Sequence, residues 1–499
     1  MLAATLREAA RRFADEPAYV AAGGWPLSYA FLDQASDEAA GGMMRRGVSE
    51  GSVVTLVLPP GPEYLVAYLA AAKLGAVTAG VNDRLTPTER ATVVDRAEPA
   101  LVVAAPGLAP EGCDALEVAA AESPDALLRD LRVGGRPPLP LPADPDRPVA
   151  IIFTSGTTGT PKGALYCNRQ LSFIARTDVG DTWGGGTRGF TGTSFAHLGF
   201  MTKLPGNLRR GGTSFIMTRW NARAALQLLA RERMNTVGGV PTQLALMLRQ
   251  PDFDEYDLAS VAFIVVGGGP LTPGLADEAR RRFGAKLASR YSCTEAGIGL
   301  GTAFDDPDED AVVSVGRPHA AVELRVLHDD DREVAVGDVG AVCLRSPAVM
   351  SGYWHDADAT RVAFTADGFV RTGDLGWVDE RGRLRLVGRS KEMYVRGGYN
   401  VYPVEVEGVL STHPEVAAIA VVPRADDVMG EVGVAVVVPR DRAAPPTLAT
   451  LRDYATDRLA AYKLPEAILT VDELPLTAGE KLDRRVLAAT VASAPSARG

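Results

Sequence analysis

At 499 residues, with 46% hydrophobic and 23% charged side chains, the chain has the composition of a folded globular protein and is too long for one compact core, so two or more domains are expected. A net charge of -10 and a pI near 5.2 argue against a nucleic-acid footprint, which is normally basic. The four cysteines, Cys113, Cys167, Cys293 and Cys343, form no CxxC pair and have no ligand-like histidine beside them, which excludes an obvious disulfide framework or zinc site and fits a reducing cytosol.

The N-terminal segment MLAATLREAARRF carries charges at helical spacing and lacks the apolar stretch of a signal peptide. Residues 53–58 and 101–105 read as buried strands and residues 63–74 as a helix. The most membrane-like run, residues 64–72, is stopped by Lys73 and falls far short of the about 20 residues a spanning helix needs, so no transmembrane segment is expected. Strands alternating with helices predict parallel sheets in an α/β architecture. A proline-rich connection over residues 136–148 leads into a strand at 149–154. Further on, residues 223–234 pattern as a helix and 261–266 as a buried strand. From about 317 to 386 short β runs are broken by Gly-Asp and Asp-Gly turns, which predicts a small β-rich subdomain. Strands at 416–422 and 432–438 and an amphipathic helix at 448–462 follow, and residues 493–499 read as a disordered tail.

The strand at 149–154 runs into Thr154, Ser155, Gly156, Thr157, Thr158, Gly159, Thr160, Pro161, Lys162 and Gly163. Glycines let a backbone approach a phosphate, and hydroxyls with one lysine supply donors to its oxygens. The spacing is not the Walker GxxxxGK[ST] pattern, because Gly163 follows the lysine, so a P-loop NTPase is disfavoured. Composition alone fits a solvated turn equally well. In order, however, these residues resemble the TSGTTGxPKG signature of the acyl-adenylate-forming superfamily, which includes acyl-CoA synthetases, peptide-synthetase adenylation domains and firefly luciferase.

The rest of the chain is similar to that superfamily from about residue 20 to 490. Gly267, Gly268, Gly269 and Pro270 resemble its adenine-side loop. Tyr291, Ser292, Cys293, Thr294 and Glu295 resemble its YGxTE motif, which implies that Tyr291 stacks on adenine, Thr294 contacts the α-phosphate and Glu295 helps to hold Mg²⁺. Ser292 replaces the usual glycine beside the acyl group. Asp374, in Arg371-Thr372-Gly373-Asp374, resembles the ribose-binding aspartate. The segment 340–354 resembles another family stretch and is read as structural. Arg389 resembles the nucleotide-contacting arginine, Lys391 the hinge about which a small C-terminal domain swings, and Gly397 and Gly398 the passage for the pantetheine arm of coenzyme A. Lys481, in the segment 475–481, resembles the lysine that bridges the attacking carboxylate and the α-phosphate, although Glu480 stands where relatives carry glycine. His197 lies where relatives carry an aromatic or histidine gate between the acid pocket and the CoA tunnel.

The resemblance implies an α/β fold with a large N-terminal domain, residues 1–389, of parallel-rich αβ subdomains plus a β-rich subdomain. A smaller mobile α+β C-terminal domain, residues 390–499, then carries the catalytic lysine. It implies a cytoplasmic, ATP- and Mg²⁺-dependent ligase that converts a small carboxylic acid to an acyl-AMP and transfers the acyl group to coenzyme A. A homodimer is the candidate assembly. Two rivals remain at this level. One keeps adenylation but hands the product to a carrier protein or another nucleophile, or activates an inorganic acid such as nitrite. The other is a nucleotide-binding sensor with a decayed site, against which the joint presence of Lys162, Glu295, Asp374, Arg389 and Lys481 speaks. Phe195, Phe200 and Met201 hint at an apolar or aromatic acid.

Overall fold

The computed structural model describes residues 1–154, 161–477 and 481–494. Among these the chain is mixed α/β, with a large N-terminal domain and a smaller C-terminal one. Strand Val53–Val57 is buried at every position, as a strand covered on both faces must be. It pairs in parallel with Val77–Gly80 and Leu101–Ala104, and the sheet extends through Pro148–Phe153 on one side and Ala115–Glu117 on the other. Gly163–Cys167 then turns back antiparallel to Pro148–Phe153. The neck of that turn is closed by the Thr154 N–H, which donates to the Lys162 carbonyl at 2.9 Å.

The apolar run at 64–72 lies in helix Pro62–Leu74, which is buried almost all round. Its Lys73 donates to Asp33 and Asp37 at 2.6 and 2.7 Å, so the charge that ends the run is paired inside the core. Among the described residues no helix is long and apolar enough to cross a membrane.

A second sheet joins Thr236–Gly239, Phe263–Gly267 and Lys286–Cys293 in parallel, then adds Gly297–Gly301 antiparallel. The expected β-rich region is an antiparallel meander of Glu323–Leu327, Gly340–Arg345, Val370–Val378 and Leu384–Arg389. The C-terminal sheet is built around a hairpin of Val416–Asp426 and Gly430–Pro439, longer than the patterning predicts. Alternation along these strands sends Val421, Ala435 and Val437 to one face, against helices Pro403–Leu410 and Leu448–Thr456. The other face presents Ala420, Val422, Val434 and Val436 to helix Arg484–Ser493.

The helix predicted over 448–462 ends at Thr456, and only a short 3₁₀ turn, Ala461–Lys463, follows. The chain is drawn back there because Arg452 donates to the Pro465 carbonyl and Lys463 pairs with Glu405, which delivers Ala467–Thr470 to the sheet edge. Of the predicted tail, residues 495–499 lie outside the described residues.

Candidate active site

Strand Phe263–Gly267 ends at Gly268, whose φ of +78° lies in the region glycine adopts without penalty. A methyl group added there would lie 3.8 Å from Cε and 3.9 Å from Nζ of Lys481. Lys481, though carried by the C-terminal domain, therefore rests across the C-terminal end of this strand. Its own loop is closed by the Thr477 N–H donating to the Lys481 carbonyl at 2.7 Å and the Lys481 N–H donating to Thr477 Oγ1 at 3.3 Å. Burial lowers the Lys481 pKa and the nearby Arg389 charge lowers it further, with Asp374 pulling the other way.

Asp374 is 8% exposed and sits opposite Arg389 in the register of the meander. One carboxylate oxygen accepts from the Tyr291 hydroxyl at 2.5 Å, and the other lies 3.2 Å from Arg389 Nε. Burial, then Asp374, push the Tyr291 phenol well above its ordinary value, so it stays a donor. At Arg389 burial opposes the charge, but Asp374 and Glu392 outweigh it and raise the pKa. Four lone-pair sites on one carboxylate leave Asp374 capacity for two ribose hydroxyls beside these partners.

Thr294 and Glu295 follow strand Lys286–Cys293 in a turn. The Tyr166 hydroxyl donates to the Thr294 carbonyl at 2.7 Å, and the Met350 N–H donates to the Glu295 carbonyl at 2.9 Å. Tyr353 donates to Glu295 Oε1 at 2.9 Å, and Lys162 Nζ lies 5.2 Å from the centre of the same ring. Tyr353 thus stands between Lys162 and Glu295. Glu295 Oε2 has no hydrogen-bond partner among the described residues. No group of three or more His, Cys, Asp or Glu among them forms a metal cluster. A divalent cation held by one carboxylate oxygen, with phosphate oxygens and waters as its other ligands, fits this donor set.

His197 caps helix Leu198–Met201 and is half-buried. The Arg84 N–H donates to Asn82 Oδ1 at 2.9 Å, which turns Asn82 Nδ2 toward His197 Nε2 at 3.0 Å. In that network Nε2 accepts and the proton sits on Nδ1. Burial, reinforced by Lys481, pulls the His197 pKa down to about 4, so the ring is neutral at physiological pH.

The structure thus brings together Lys481, Gly268, Tyr291, Asp374 and Arg389, and brings Thr294, Glu295 and Lys162 to Tyr353 and Tyr166. Ser292 pairs with Ile298 on the neighbouring strand, and Gly269 and Pro270 are exposed just beyond Gly268. Ser155, Gly156, Thr157, Thr158 and Gly159 lie outside the described residues, as does Glu480. Lys391, Gly397 and Gly398 are exposed. The glycines, with φ of 55° and 87°, make the tight turn between Tyr394–Arg396 and Tyr399–Val401.

Sequence reasoning passed over Asn82, Tyr166 and Tyr353. Tyr353 lies in the segment read as purely structural, and the other two carry no signal apart from their contacts. Phe195, Phe200 and Met201 are buried in the main core, with the two phenylalanine rings stacked 3.6 Å apart, so they give no support for an apolar acid.

The sequence matches the AMP-binding enzyme family over residues 6–354 and the AMP-binding enzyme C-terminal domain over residues 405–481. It is 32% identical to an indoleacetate–CoA ligase of Aromatoleum aromaticum over 478 residues, covering 91% of each chain. It is also 32% identical to the fatty acid–[acyl-carrier-protein] ligase ScoC of Streptomyces coeruleorubidus, covering 93% of this chain and 91% of that one. ATP-bound MatB from Rhodopseudomonas palustris superimposes with a TM-score of 0.87 at 27% identity over 99% of both chains. The chain belongs to the AMP-binding enzyme family.

Proposed function

We propose that this AMP-forming acid–thiol ligase runs both of its half-reactions in the one cleft, with Lys481 supplying the charge for the first and leaving before the second. In the first, the acid's carboxylate attacks the α-phosphorus of ATP and pyrophosphate departs. In the second, the thiol of coenzyme A attacks the acyl carbonyl and AMP departs. Lys481 seated against Gly268 is the observation that carries this reading.

Two anions must meet in the first step, so positioning and neutralisation are what the protein has to provide. We assign to Lys481 the neutralisation of both. We assign the ribose hydroxyls to Asp374 and the nucleotide phosphates to Arg389, Thr294 and the loop from Thr154 to Lys162. Tyr291 lies against the adenine, with Gly268, Gly269 and Pro270 on its other side. We assign Mg²⁺ to Glu295 Oε2, where, when bound, it neutralises phosphate charge. His197, neutral and held by Asn82, separates the acid from the thiol's path.

The thiol needs the space that Lys481 fills. A boundary between residues 389 and 390 supplies the motion, since Arg389 ends the last strand of the N-terminal meander and Tyr394 begins the C-terminal sheet. Cross-domain polar contacts in this orientation include the Arg249 guanidinium on the Ala417 carbonyl at 2.7 Å and Arg440 with Glu278 at 3.8 Å, contacts a hinge can release. The apolar side chains around the Gly397–Gly398 turn support the second orientation: Val395, Tyr399 and Val428 are exposed here, as residues of a surface that later faces the cleft would be. Unpaired thiols at Cys113, Cys167, Cys293 and Cys343 support a cytoplasmic site of action.

The likeness to ScoC keeps one alternative acceptor, the phosphopantetheine of a carrier protein. ATP–pyrophosphate exchange across a panel of carboxylic acids, followed by product analysis with free CoA and with a carrier protein, tests the reading. Acid-dependent exchange and a CoA thioester are expected. Thioester on the carrier protein alone would move the acceptor, and no exchange with any acid would contradict the adenylation itself.

A further inference from the structure

Strand Lys286–Cys293 carries two site faces. Tyr291 points to Asp374, and alternation places Arg290 and Ser292 on the opposite face. Arg290 is half-buried, and Nη1 donates to the carbonyls of Ser289 and Thr302. Its Nε and Nη2 make no hydrogen bond among the described residues. The same guanidinium lies near His319 across Gly301, where an added methyl group would be 2.9 Å from Arg290 Nη1 and 3.3 Å from the His319 ring. Among the described residues the anion acting on Arg290 is Asp178, and that carboxylate is shared with Lys203, whose Nζ is 3.7 Å away. Burial lowers the Arg290 pKa more than Asp178 restores it. Burial, then Arg290, also hold His319 below its ordinary value, so His319 brings no charge at neutral pH. Two cations against one carboxylate leave this place one positive charge in excess, with guanidinium donors unspent.

The excess charge lies beside the acid site. Arg290 faces Gly267 in register, and the next residue, Gly268, is the one against Lys481. Lys203 comes two residues after the short helix Leu198–Met201 that His197 begins, and it starts the next helix, Leu204–Arg210. A buried guanidinium with free, forked donors is suited to bidentate recognition of a carboxylate.

We propose that the acid this enzyme activates carries a second carboxylate, or an equivalent anion, that Arg290 binds with Lys203 in support while the first carboxylate meets Lys481. This rests on the adenylation reading above and narrows its substrate class to compact dicarboxylic acids. Arg290 is a specificity-determining residue in this account, and Asp178 sets how strongly the site attracts the anion.

The test is ATP–pyrophosphate exchange with chain-matched pairs: succinate, glutarate, adipate and pimelate against butanoate, pentanoate, hexanoate and heptanoate, with terephthalate against benzoate. The wild type should favour at least one diacid over its partner. Arg290→Leu should lower kcat/KM for that diacid by about 10²-fold, mostly through KM, the scale for removing one member of a desolvated charge pair. Exchange with the matched monoacid should stay within a few-fold. Because Arg290 also holds two carbonyls, two variants that leave it in place are read alongside: Lys203→Gln should weaken the diacid, and Asp178→Asn should tighten it. Preference for monoacids in the wild type, or equal losses for both acids in Arg290→Leu with no effect of the other two variants, would overturn the assignment and leave the ligase reading standing. Absence of exchange with every acid would overturn both.

Discussion

Around Asp374, charge and hydrogen bonding are settled within the N-terminal domain: its two oxygens meet Tyr291 and Arg389, and the whole residue is 8% exposed. Around the start of the C-terminal domain the arrangement is reversed. Lys391 and the Gly397–Gly398 turn are exposed, and Val395, Tyr399 and Val428 stand 41%, 57% and 84% exposed. The contrast teaches where rigidity is useful. A nucleotide pocket works by holding donors and acceptors in place before the substrate arrives. An arm that must present one face and then another is better served by few contacts and a surface unfinished in either position.

The strongest attack on this contrast is Lys481→Ala. ATP–pyrophosphate exchange should fall by about 10³-fold, the scale for removing a charge aimed at the transition state, whereas thioester formation from supplied acyl-AMP should stay within a few-fold. Parallel losses would make Lys481 a structural residue. Next is Lys391→Pro, at a position whose N–H makes no hydrogen bond among the described residues. A fixed φ there should block the swing and lower thioester formation by about 10²-fold, as misplacement by about 1 Å does, with exchange retained. Asp374→Asn probes the settled side. Charge-assisted hydrogen bonds are worth about 1.5–3 kcal/mol, so the KM for ATP should rise roughly 10–100-fold with little change in the unfolding midpoint of the C-terminal domain.

The smallest effect is in stability. The His197 pKa is lowered from 6.5 to about 4, so between those values the unfolded chain binds a proton that the folded chain refuses. Stability from this group is therefore complete above about pH 6.5 and is lost as pH falls through 4. Chemical denaturation at stepped pH should show that slope in the wild type and its reduction in His197→Gln. An unchanged slope would mean that the histidine is less enclosed than the structure has it.

Much of this was legible in the amino-acid order. Strand positions such as 53–58 and 149–154 carry mostly apolar runs, and the motifs around Lys162, Glu295, Asp374, Arg389 and Lys481 are contiguous, so their resemblance to the family's motifs could be read in sequence order. Contacts between distant segments left no such trace. Tyr353 reaches Glu295 across 58 positions, and Tyr166 reaches Thr294 across 128. The state of His197 depends on burial and on a lysine from the far end of the chain, neither of which local patterning records. The aromatic residues at 195 and 200 could be a pocket wall or a core layer by composition, and their stacking and burial place them in the core. Helix 448–462 was drawn too long because side-chain bonds to Pro465 and Glu405, not propensity, decide where it stops.

Hydrogen exchange on the native enzyme tests the proposed swing most directly, comparing the state holding ATP and acid with the state holding a stable acyl-adenylate analogue and CoA. Peptides covering 268–276 and 409–417, which face each other through Gly274 and Ser411 in the present orientation, should lose protection when CoA is added. Peptides covering 395–399 and 426–429 should gain it in the same step. Unchanged exchange in both sets, while thioester still forms at its full rate, would show that Lys481 never leaves and would contradict the account.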